Sequence, residues 1–348
     1  MKSAGNYTCW HKGTEPFENV NKRINVNIFT RPIEMTEIIK KEQSKSVIPI
    51  ESSPIQSVAD YIKYIMNWKH NNIMPTAFRG QSFNKWKIEP KLFRNPFSLY
   101  EDEDKAIRDV ISLEPEEFRN DITMFDKLVR MQHFGLPTRL LDVTTNPLIA
   151  LWFATELYEC QSNDNEPKMQ QQDGRVTAFY VHSQRAKYYD SDTVSCLCHL
   201  ASLDIDKKNQ ILELASNQIT KREFNRKAVV KYLCYQVGME KPHFKPLVVP
   251  NDLIYPHYVK PKLSNKRIIA QSGAFILYGA IDYDPKATNN RIQAMHLNIP
   301  ATAKDNIRRE LEVLGINERT LFPDIERATK FITLRYQNSL RDRENSLL

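Results

Sequence analysis

The sequence lacks the features of a membrane or secreted protein. It contains no run of 18 apolar residues, and its first residues, Met1 to Asn6, hold no apolar signal-peptide core. Its five cysteines are odd in number and scattered over 348 residues, which is not the pattern of a disulfide framework. We therefore predict a cytoplasmic protein with no membrane-spanning segment.

Metal ligands are scarce as well. Cys196-Leu197-Cys198-His199 is the one cluster typical of zinc ligation, and no second pair of ligands lies at a suitable spacing. The sequence also has no pair of carboxylates at the spacing of a metal nuclease. We predict buried thiols at Cys196 and Cys198, and no metal site.

The charge gives a weak indication of the partner. The chain has 49 Lys and Arg against 42 Asp and Glu, a net charge of +7. This excess favours nucleic acid or nucleotide phosphates as partners, or it only improves solubility. The densest basic patch has four cations around one aromatic residue, and these are Lys221, Arg222, Arg226 and Lys227. We predict weak contacts of these cations with a nucleic-acid backbone; the alternative is a solvated helix face.

Helical and strand patterns do not alternate regularly along the chain, which predicts an α+β fold rather than a doubly wound sheet. We divide the chain into a polar extension (1–55), a main domain (56–335) with a mainly helical insertion at about 183–240, and a polar tail (336–348). Periodicity predicts a helix from Ser57 to about Lys69 and another at 302–314. The predicted strands are 76–80, 140–143, 176–181, 245–250, 267–279 and 294–299, and residues 161–174 are predicted to form an exposed loop.

One segment, Gln132 to Pro147, packs eight hydrogen-bonding side chains into a turn-like stretch directly before an apolar helix pattern. Thr123 and Asp126 predict the start of the preceding helix, and Gly135 predicts its end. Asn146 and Pro147 predict the start of the next helix. Because buried polar groups cost free energy unless each finds a partner, we interpret the segment as the wall of a functional site.

Three segments resemble the FRG domain, a family named for its Phe-Arg-Gly tripeptide. They are Phe78-Arg79-Gly80-Gln81, the block from Gln132 to Ala154, and the stretch from Arg267 to Phe275. The later Leu321-Phe322-Pro323-Asp324 also fits the family. The resemblance covers roughly residues 58–330, and its middle block is the most specific part.

The order of these segments is also similar, more distantly, to that of the ADP-ribosyltransferases, which cleave NAD at the nicotinamide ribosyl bond. One branch of those enzymes carries an Arg, often followed by Gly, on its first core strand. A strand with Ser or Thr then leads into an apolar helix, and a later strand bears a Glu. Arg79-Gly80, the stretch 142–154 and Gln271 occupy the corresponding places. The resemblance implies an ADP-ribosyltransferase-like split mixed or antiparallel β core decorated with helices, with NAD as the substrate.

Within this resemblance, Arg79 would hold the NAD pyrophosphate or an adjacent ribose with its forked donors, and Gly80 would let the backbone approach the ligand. Gln81 is a further candidate contact. The alternative for Arg79 is an ion pair with a carboxylate such as Asp142. His133 would donate to a ribose hydroxyl or to the nicotinamide amide, or would only cap its helix.

The remaining candidate cofactor contacts come from the polar segment itself. Thr138, Thr144 and Thr145 offer hydroxyl groups to a ribose, and local caps are the alternative. Arg139 lies three residues before Asp142, so we expect an ion pair between them that shapes the loop, with cofactor binding as the alternative.

The three catalytic candidates are Arg79, Asp142 and Gln271. The transferases use their late Glu to bind the ribose 2′-hydroxyl and to stabilise the positive charge of the oxocarbenium ion. This chain offers Gln271 there, and no Glu occurs between residues 240 and 310. A glutamine carries no negative charge, so Asp142, or Asp282 or Asp284 just after the strand, must supply it.

These features predict an NAD-dependent ADP-ribosyltransferase-like toxin or phage-defence effector that modifies a macromolecule. RNA or DNA is favoured over protein as the acceptor, and an antitoxin or regulatory protein is the further partner that such an effector would have. The missing late Glu favours an alternative, a non-catalytic module that senses a nucleotide or nucleic acid. A third hypothesis is a hydrolase, either a nuclease or an NAD glycohydrolase, with His133 as the acid or base.

Overall fold

The computed structural model describes residues 55–67, 74–94, 98–161, 167–217, 219–280 and 292–323. The predicted tail lies outside these ranges, and so does the predicted N-terminal extension apart from Ile55. Asp282 and Asp284 also fall outside them. No helix within these ranges has the length and the apolar character that spanning a bilayer requires.

A mixed sheet forms the centre of the described structure. The described strands are β1 (Ala77–Gln81), β2 (Leu140–Thr144), β3 (Tyr158–Gln161), β4 (Pro167–Gln170), β5 (Gly174–Val181), β6 (Ala186–Tyr188), β7 (His257–Lys260), β8 (Gly273–Leu277) and β9 (Ile292–Ile299). Seven of them form the sheet in the order β6-β7-β8-β2-β1-β5-β9. All neighbours are antiparallel except β6 and β7, which are parallel. Strands β3 and β4 form a separate antiparallel pair.

Helices surround this sheet. The described helices are α1 (Val58–Met66), α2 (Glu103–Leu113), α3 (Met124–His133), α4 (Pro147–Ala154), α5 (Asp192–His199), α6 (Ile205–Ser216), α7 (Lys221–Phe224), α8 (Ala228–Glu240), α9 (Pro250–Ile254), α10 (Lys266–Ala270), α11 (Lys304–Val313) and α12 (Glu318–Leu321). The region 183–240 is mainly helical, but its strand β6 belongs to the main sheet. The irregular sequence of helices and strands confirms the α+β class.

The two halves of the sheet have separate apolar cores. Helices α2, α3, α5, α6 and α8 share one core with β2, β7 and β8, in which Leu128 and Phe275 are buried. Helix α4 shares another core with β1, β5 and α11, in which Phe78 and Trp152 are buried. A third core contains Leu141 and spans both halves of the sheet. It is separate from the other two because successive residues of a strand point to opposite faces.

The helix boundaries around the polar segment agree with the sequence signals. Thr123 and Asp126 form a capping box at the start of α3. Gly135, with φ +97°, follows the end of α3, and Leu136 N donates to Met131 O at 3.0 Å, which closes a Schellman motif. The Asn146 side chain accepts from Leu148 N at 2.9 Å and caps α4. These local predictions are confirmed.

Three strand or loop predictions are wrong. Residues 245–250 are not a strand; they lead into α9, and the strand of this region is β7. Residues 267–279 do not form one strand, because Asn265 Oδ1 accepts from Arg267 N at 2.8 Å and starts helix α10, so that β8 begins only at Gly273. The polar stretch 161–174 is not simply a loop, since Gln161 ends β3, Gly174 begins β5, and Pro167–Gln170 form β4.

Candidate functional site

The central strands β1 and β2 separate almost as soon as they meet. They pair at one position only, Phe78 with Thr144. By contrast, β1 pairs with β5 along all of Ala77–Gln81, and β2 pairs with β8 along all of Leu140–Thr144. The sheet therefore opens between β1 and β2, beyond Phe78 on one strand and before Thr144 on the other.

A cleft occupies this opening. Its empty volume, open solvent included, is about 1000 Å³. It brings together six of the predicted site residues: Arg79, Gly80, Gln81, Asp142, Thr144 and Gln271. The other lining residues were not predicted, and they are Phe78, Ser82, Trp86, Val143, Phe153, Glu156, Leu157 and Arg267.

Arg79 bridges the opening between the two strands. Its Nη1 donates to the backbone carbonyl of Asp142 at 2.6 Å, so the guanidinium replaces a ladder hydrogen bond that the separated strands cannot make. This bond goes to the backbone of Asp142, so it is not the ion pair with the Asp142 carboxylate that we gave as the alternative. Its Nε is buried and has no hydrogen-bond partner among the described residues. Burial lowers the pKa of Arg79, and the charge of Asp142 opposes that shift.

The Asp142 carboxylate is exposed at the edge of the cleft, and its negative charge acts on two arginines, Arg79 and Arg94. Burial lowers the pKa of Arg94, and the negative charges of Glu89 and Asp142 oppose the shift. Asp142 faces away from the third core, which takes the neighbouring Leu141 and Val143. A carboxylate is therefore present in the cleft beside a guanidinium.

Gln271 lines the cleft from a different place than predicted. It is the C-cap residue of α10 rather than a residue of strand β8. Its Nε2 donates to Leu321 O at 3.1 Å, which fixes the amide and leaves Oε1 as the atom for a ligand. Its backbone carbonyl accepts from Thr144 Oγ1 at 2.7 Å.

Residues 74–164 match the FRG domain family. The match covers β1, the polar segment Gln132 to Pro147 with β2 inside it, and α4. It supports the FRG resemblance for that part of the chain. No curated protein and no solved structure matches the chain. The resemblance to the ADP-ribosyltransferases therefore stays a prediction.

The Gly of the FRG tripeptide has a packing role that the sequence did not reveal. A Cβ on Gly80 would lie 1.9 Å from Ala150 O and 2.7 Å from Ala154 N, so α4 can pack on β1 only because this side chain is absent. Gly80 therefore admits a helix, and whether it also lets a ligand approach stays a prediction. Gln81 is also used internally, since its Oε1 accepts from Arg175 Nη2 at 2.9 Å.

Arg139 is neither paired with Asp142 nor open to a cofactor. It is fully buried, and its Nε donates to Glu103 Oε1 at 2.9 Å. Its Nη2 donates to the other Glu103 oxygen, and its Nη1 donates to Tyr278 O at 3.1 Å. Lys208 Nζ also donates to Glu103, at 2.8 Å. A buried cation needs a counter-charge and filled hydrogen bonds, and Arg139 finds both in Glu103 of α2. Because Glu103 also binds Lys208 of α6, this network holds both helices against the sheet.

The three threonines act mainly within the fold. Thr138 is buried, donates to Gln132 Oε1 and accepts from Leu140 N at 3.2 Å. Thr145 Oγ1 donates to Ser272 O at 3.3 Å, and neither Thr138 nor Thr145 lines the cleft. Thr144 lines it, but its hydroxyl already bonds Gln271 O. Thr138 therefore makes the local bonds that we gave as the alternative, whereas Thr145 bonds a residue distant in sequence.

His133 lies on a second cavity beside the cleft. This cavity has an empty volume of about 500 Å³, open solvent included, and shares Asp142, Val143, Arg267 and Gln271 with the cleft. His133 and Gln132 reach it from the last turn of α3. The two cavities therefore meet at Asp142.

Several cleft residues escaped the sequence reasoning. Trp86 and Glu156 lie in connections that follow β1 and α4, where no motif singled them out. Arg267 begins the FRG-like stretch that ends at Phe275, but it is not among the predicted site residues. Its guanidinium lies 4.9 Å from the Phe322 ring centroid. Its place in a stretch that resembles the FRG domain was the signal available for it.

The basic patch lies apart from the cleft lining. Lys221, Arg222, Arg226 and Lys227 are exposed, while Phe224 between them is buried in the first core. The patch thus has the form of a solvated helix end anchored by one aromatic residue. Whether nucleic acid binds there stays a prediction.

The cysteine cluster is buried. Cys196, Cys198 and Cys234 are free thiols, and burial raises the pKa of Cys196 and Cys198. His199 Nε2 contacts Glu240 Oε2 at 3.1 Å instead of joining the cysteines. Across the described ranges, no group of three or more His, Cys, Asp or Glu side chains has the arrangement of a metal site.

Proposed function

We propose that the cleft binds NAD and that the protein transfers ADP-ribose from it to a nucleic acid, as a toxin or phage-defence effector. The observation that carries this proposal is the opening between β1 and β2, where a guanidinium, a carboxylate and aromatic walls meet.

The lining suits a dinucleotide because it combines flat apolar surfaces with positive charge. Phe78, Trp86 and Phe153 give the lining aromatic side chains, which suit contact with a flat ring. Arg79 and Arg267 supply positive charge for a pyrophosphate, which guanidinium groups bind with paired donors.

Asp142 is the residue that we assign to the chemistry. When the bond between ribose C1′ and the nicotinamide nitrogen breaks, positive charge develops on the ribose, and a fixed carboxylate stabilises it. Asp142 stands in for the Glu that the transferases carry on their late strand. Gln271 has its Nε2 committed to Leu321, so its Oε1 accepts from a ribose hydroxyl.

The test uses NAD labelled in its adenylate phosphate, incubated with the purified protein and, separately, with RNA, DNA and total protein. We expect nicotinamide release and transfer of label to one of the nucleic acids. Asp142→Asn should lower the rate about 1000-fold while leaving the Kd for NAD nearly unchanged, because it removes charge and keeps shape. Asp109→Asn, an exposed aspartate on α2 outside the cleft, is the matched control. An NAD pool that stays intact and unbound contradicts the proposal.

One observation favours a second candidate, a nucleotide sensor without chemistry. The residue in place of the late Glu is a neutral Gln271 whose amide is bound to Leu321 O. Isothermal titration separates the two candidates: binding of NAD without nicotinamide release, in the presence of all three polymers, would establish the sensor. Loss of toxicity in Asp142→Asn on expression would favour the enzyme.

A further inference from the structure

The second cavity adjoins the cleft, and Asp142 lines both. Its walls come from the last turns of α3, from β2 and β8, and from α10. Because the cavity and the cleft share Asp142, Arg267 and Gln271, a molecule in each would meet at the carboxylate that we assign to the chemistry. A transferase needs this arrangement, since donor and acceptor must touch at the reacting carbon.

Three amide side chains line the second cavity, and the fold fixes the orientation of each. Thr138 Oγ1 accepts from Leu140 N, so its hydroxyl hydrogen goes to Gln132 Oε1. Asn265 Oδ1 accepts from the backbone N of Arg267. The nitrogens of Gln132 and Asn265 then remain as donors without a partner among the described residues, and Oε1 of Gln271 remains as an acceptor.

The rest of the lining combines apolar side chains with His133, Asp142 and Arg267. Val129, Ile268 and Phe275 form its walls, and Phe275 pairs with Asp142 across β8 and β2. A ligand that fits has apolar faces and a rim of hydrogen-bond donors and acceptors. Nucleobases have this chemistry, and enzymes that act on them read the extruded base through its edge while apolar side chains contact its faces.

We propose that the second cavity receives an unstacked base of a single-stranded nucleic acid, and that a nitrogen of this base is the acceptor. This inference rests on the proposed function. The base nitrogen forms a bond with C1′ of the nicotinamide ribose, and the bond from C1′ to nicotinamide breaks with its electron pair going to nicotinamide. The proton lost by the base nitrogen passes to His133, whose imidazole lines the same cavity.

A groove continues from the second cavity and gives room for the neighbouring nucleotide. It shares Val129, Asn265 and Ile268 with the cavity, and Lys262 and Ser264 line it further out. Lys262 is exposed and cationic, which suits a phosphate. Arg130 also lines the groove, but its charge is balanced by Asp121, to which it donates through Nε and Nη2.

Two nearly isosteric substitutions test the inference. Gln132→Glu and Asn265→Asp keep the oxygen that bonds Thr138 or Arg267 N, and they remove the donor that faces the cavity. We expect each to lower label transfer from NAD to short single-stranded DNA or RNA about tenfold or more, with the Kd for NAD changed less than about twofold. Asn217→Asp makes the same chemical change at an exposed site that lines none of these cavities, and it should leave transfer unchanged.

Mass spectrometry of the digested oligonucleotide then locates the label. ADP-ribose on a base, together with the loss in both variants, supports the inference. Label on a terminal phosphate or only on protein, or full transfer by both variants, overturns it while leaving NAD use intact. If NAD is neither bound nor consumed, the proposed function fails on its own. Fluorescence anisotropy with the same oligonucleotides then decides: weaker binding by both variants than by the wild type keeps the base site, and equal binding removes it.

Discussion

Arg79 and Arg139 both belong to the FRG-like motifs, and both are drawn into the fold, yet their surroundings differ. Arg139 has a carboxylate partner in Glu103, and each of its nitrogens donates a hydrogen bond. Arg79 has one bond, to Asp142 O, and a buried Nε with no partner among the described residues. Burial lowers the pKa of Arg139, but Glu103 outweighs this, so its pKa is raised; the pKa of Arg79 is lowered.

This difference separates a structural cation from a binding cation. A buried charge whose hydrogen bonds are all filled stabilises the fold and has nothing left for a ligand. A guanidinium with unfilled donors beside a cleft carries a desolvation cost that an anionic ligand would relieve. Substitution of Arg139 should therefore lower the stability of the fold, whereas substitution of Arg79 should weaken ligand binding.

The largest expected effect is on stability, in Arg139→Met. The substitution leaves Glu103 buried with Lys208 as its remaining partner, and breaking a buried ion pair costs about 3–5 kcal/mol of unfolding free energy. Urea denaturation measures it. Arg119→Met, which removes an exposed ion pair with Glu116, is the control and should cost less than about 1 kcal/mol. A loss of that small size in Arg139→Met would remove the distinction between the two arginines.

The next effect is on binding, in Arg79→Lys. Lysine keeps the charge but loses the fork, so we expect the Kd for NAD to rise about tenfold or more in isothermal titration. The free energy of unfolding should change by less than about 1 kcal/mol, because Arg79 makes only one hydrogen bond within the described structure. If stability falls as far as in Arg139→Met while the Kd holds, Arg79 is structural and the cleft binds its ligand without it.

The contrast between these arginines also marks how far the sequence could be read. Caps such as Thr123, Asn146 and Gly135 were predicted because their bonds run to neighbours within a few residues. Arg139 was paired with the wrong acid because its partner, Glu103, lies 36 residues earlier, on helix α2. A long-range choice of this kind is made by packing, which no local pattern contains.

The site was predicted in part for a related reason. Arg79, Asp142 and Gln271 came together in the cleft as the order of the motifs implied, although Gln271 arrived on a helix end rather than a strand. Asn265, a helix-starting residue just upstream, was the overlooked local signal. The packing role of Gly80 was not predicted, because the helix that occupies the space of a side chain there begins 67 residues later, at Pro147.

The surroundings of another buried cation, Lys304, are intermediate between those of Arg139 and Arg79. Lys304 is fully buried, and its Nζ donates to Ser82 O at 2.8 Å and to Glu156 O at 2.9 Å, two residues that line the cleft. Its bonds go to carbonyls rather than to a carboxylate. Burial lowers its pKa from 10.5 to about 8; Asp173 and Glu156 oppose this shift, and Arg308 adds to it.

The smallest predicted effect is therefore a pH dependence of stability due to Lys304. Below about pH 8 the amine is protonated in both the folded and unfolded protein, so it adds no slope. Between about pH 8 and 10.5 the unfolded chain holds this proton and the folded chain releases it, so stability rises with pH. The neutral amine still has two hydrogens for its two carbonyls. We expect the wild type to gain about 1–2 kcal/mol over Lys304→Met between pH 7.5 and 9.5 in urea denaturation. A constant difference across that interval would mean that Lys304 has found a counter-charge, and would place it with Arg139.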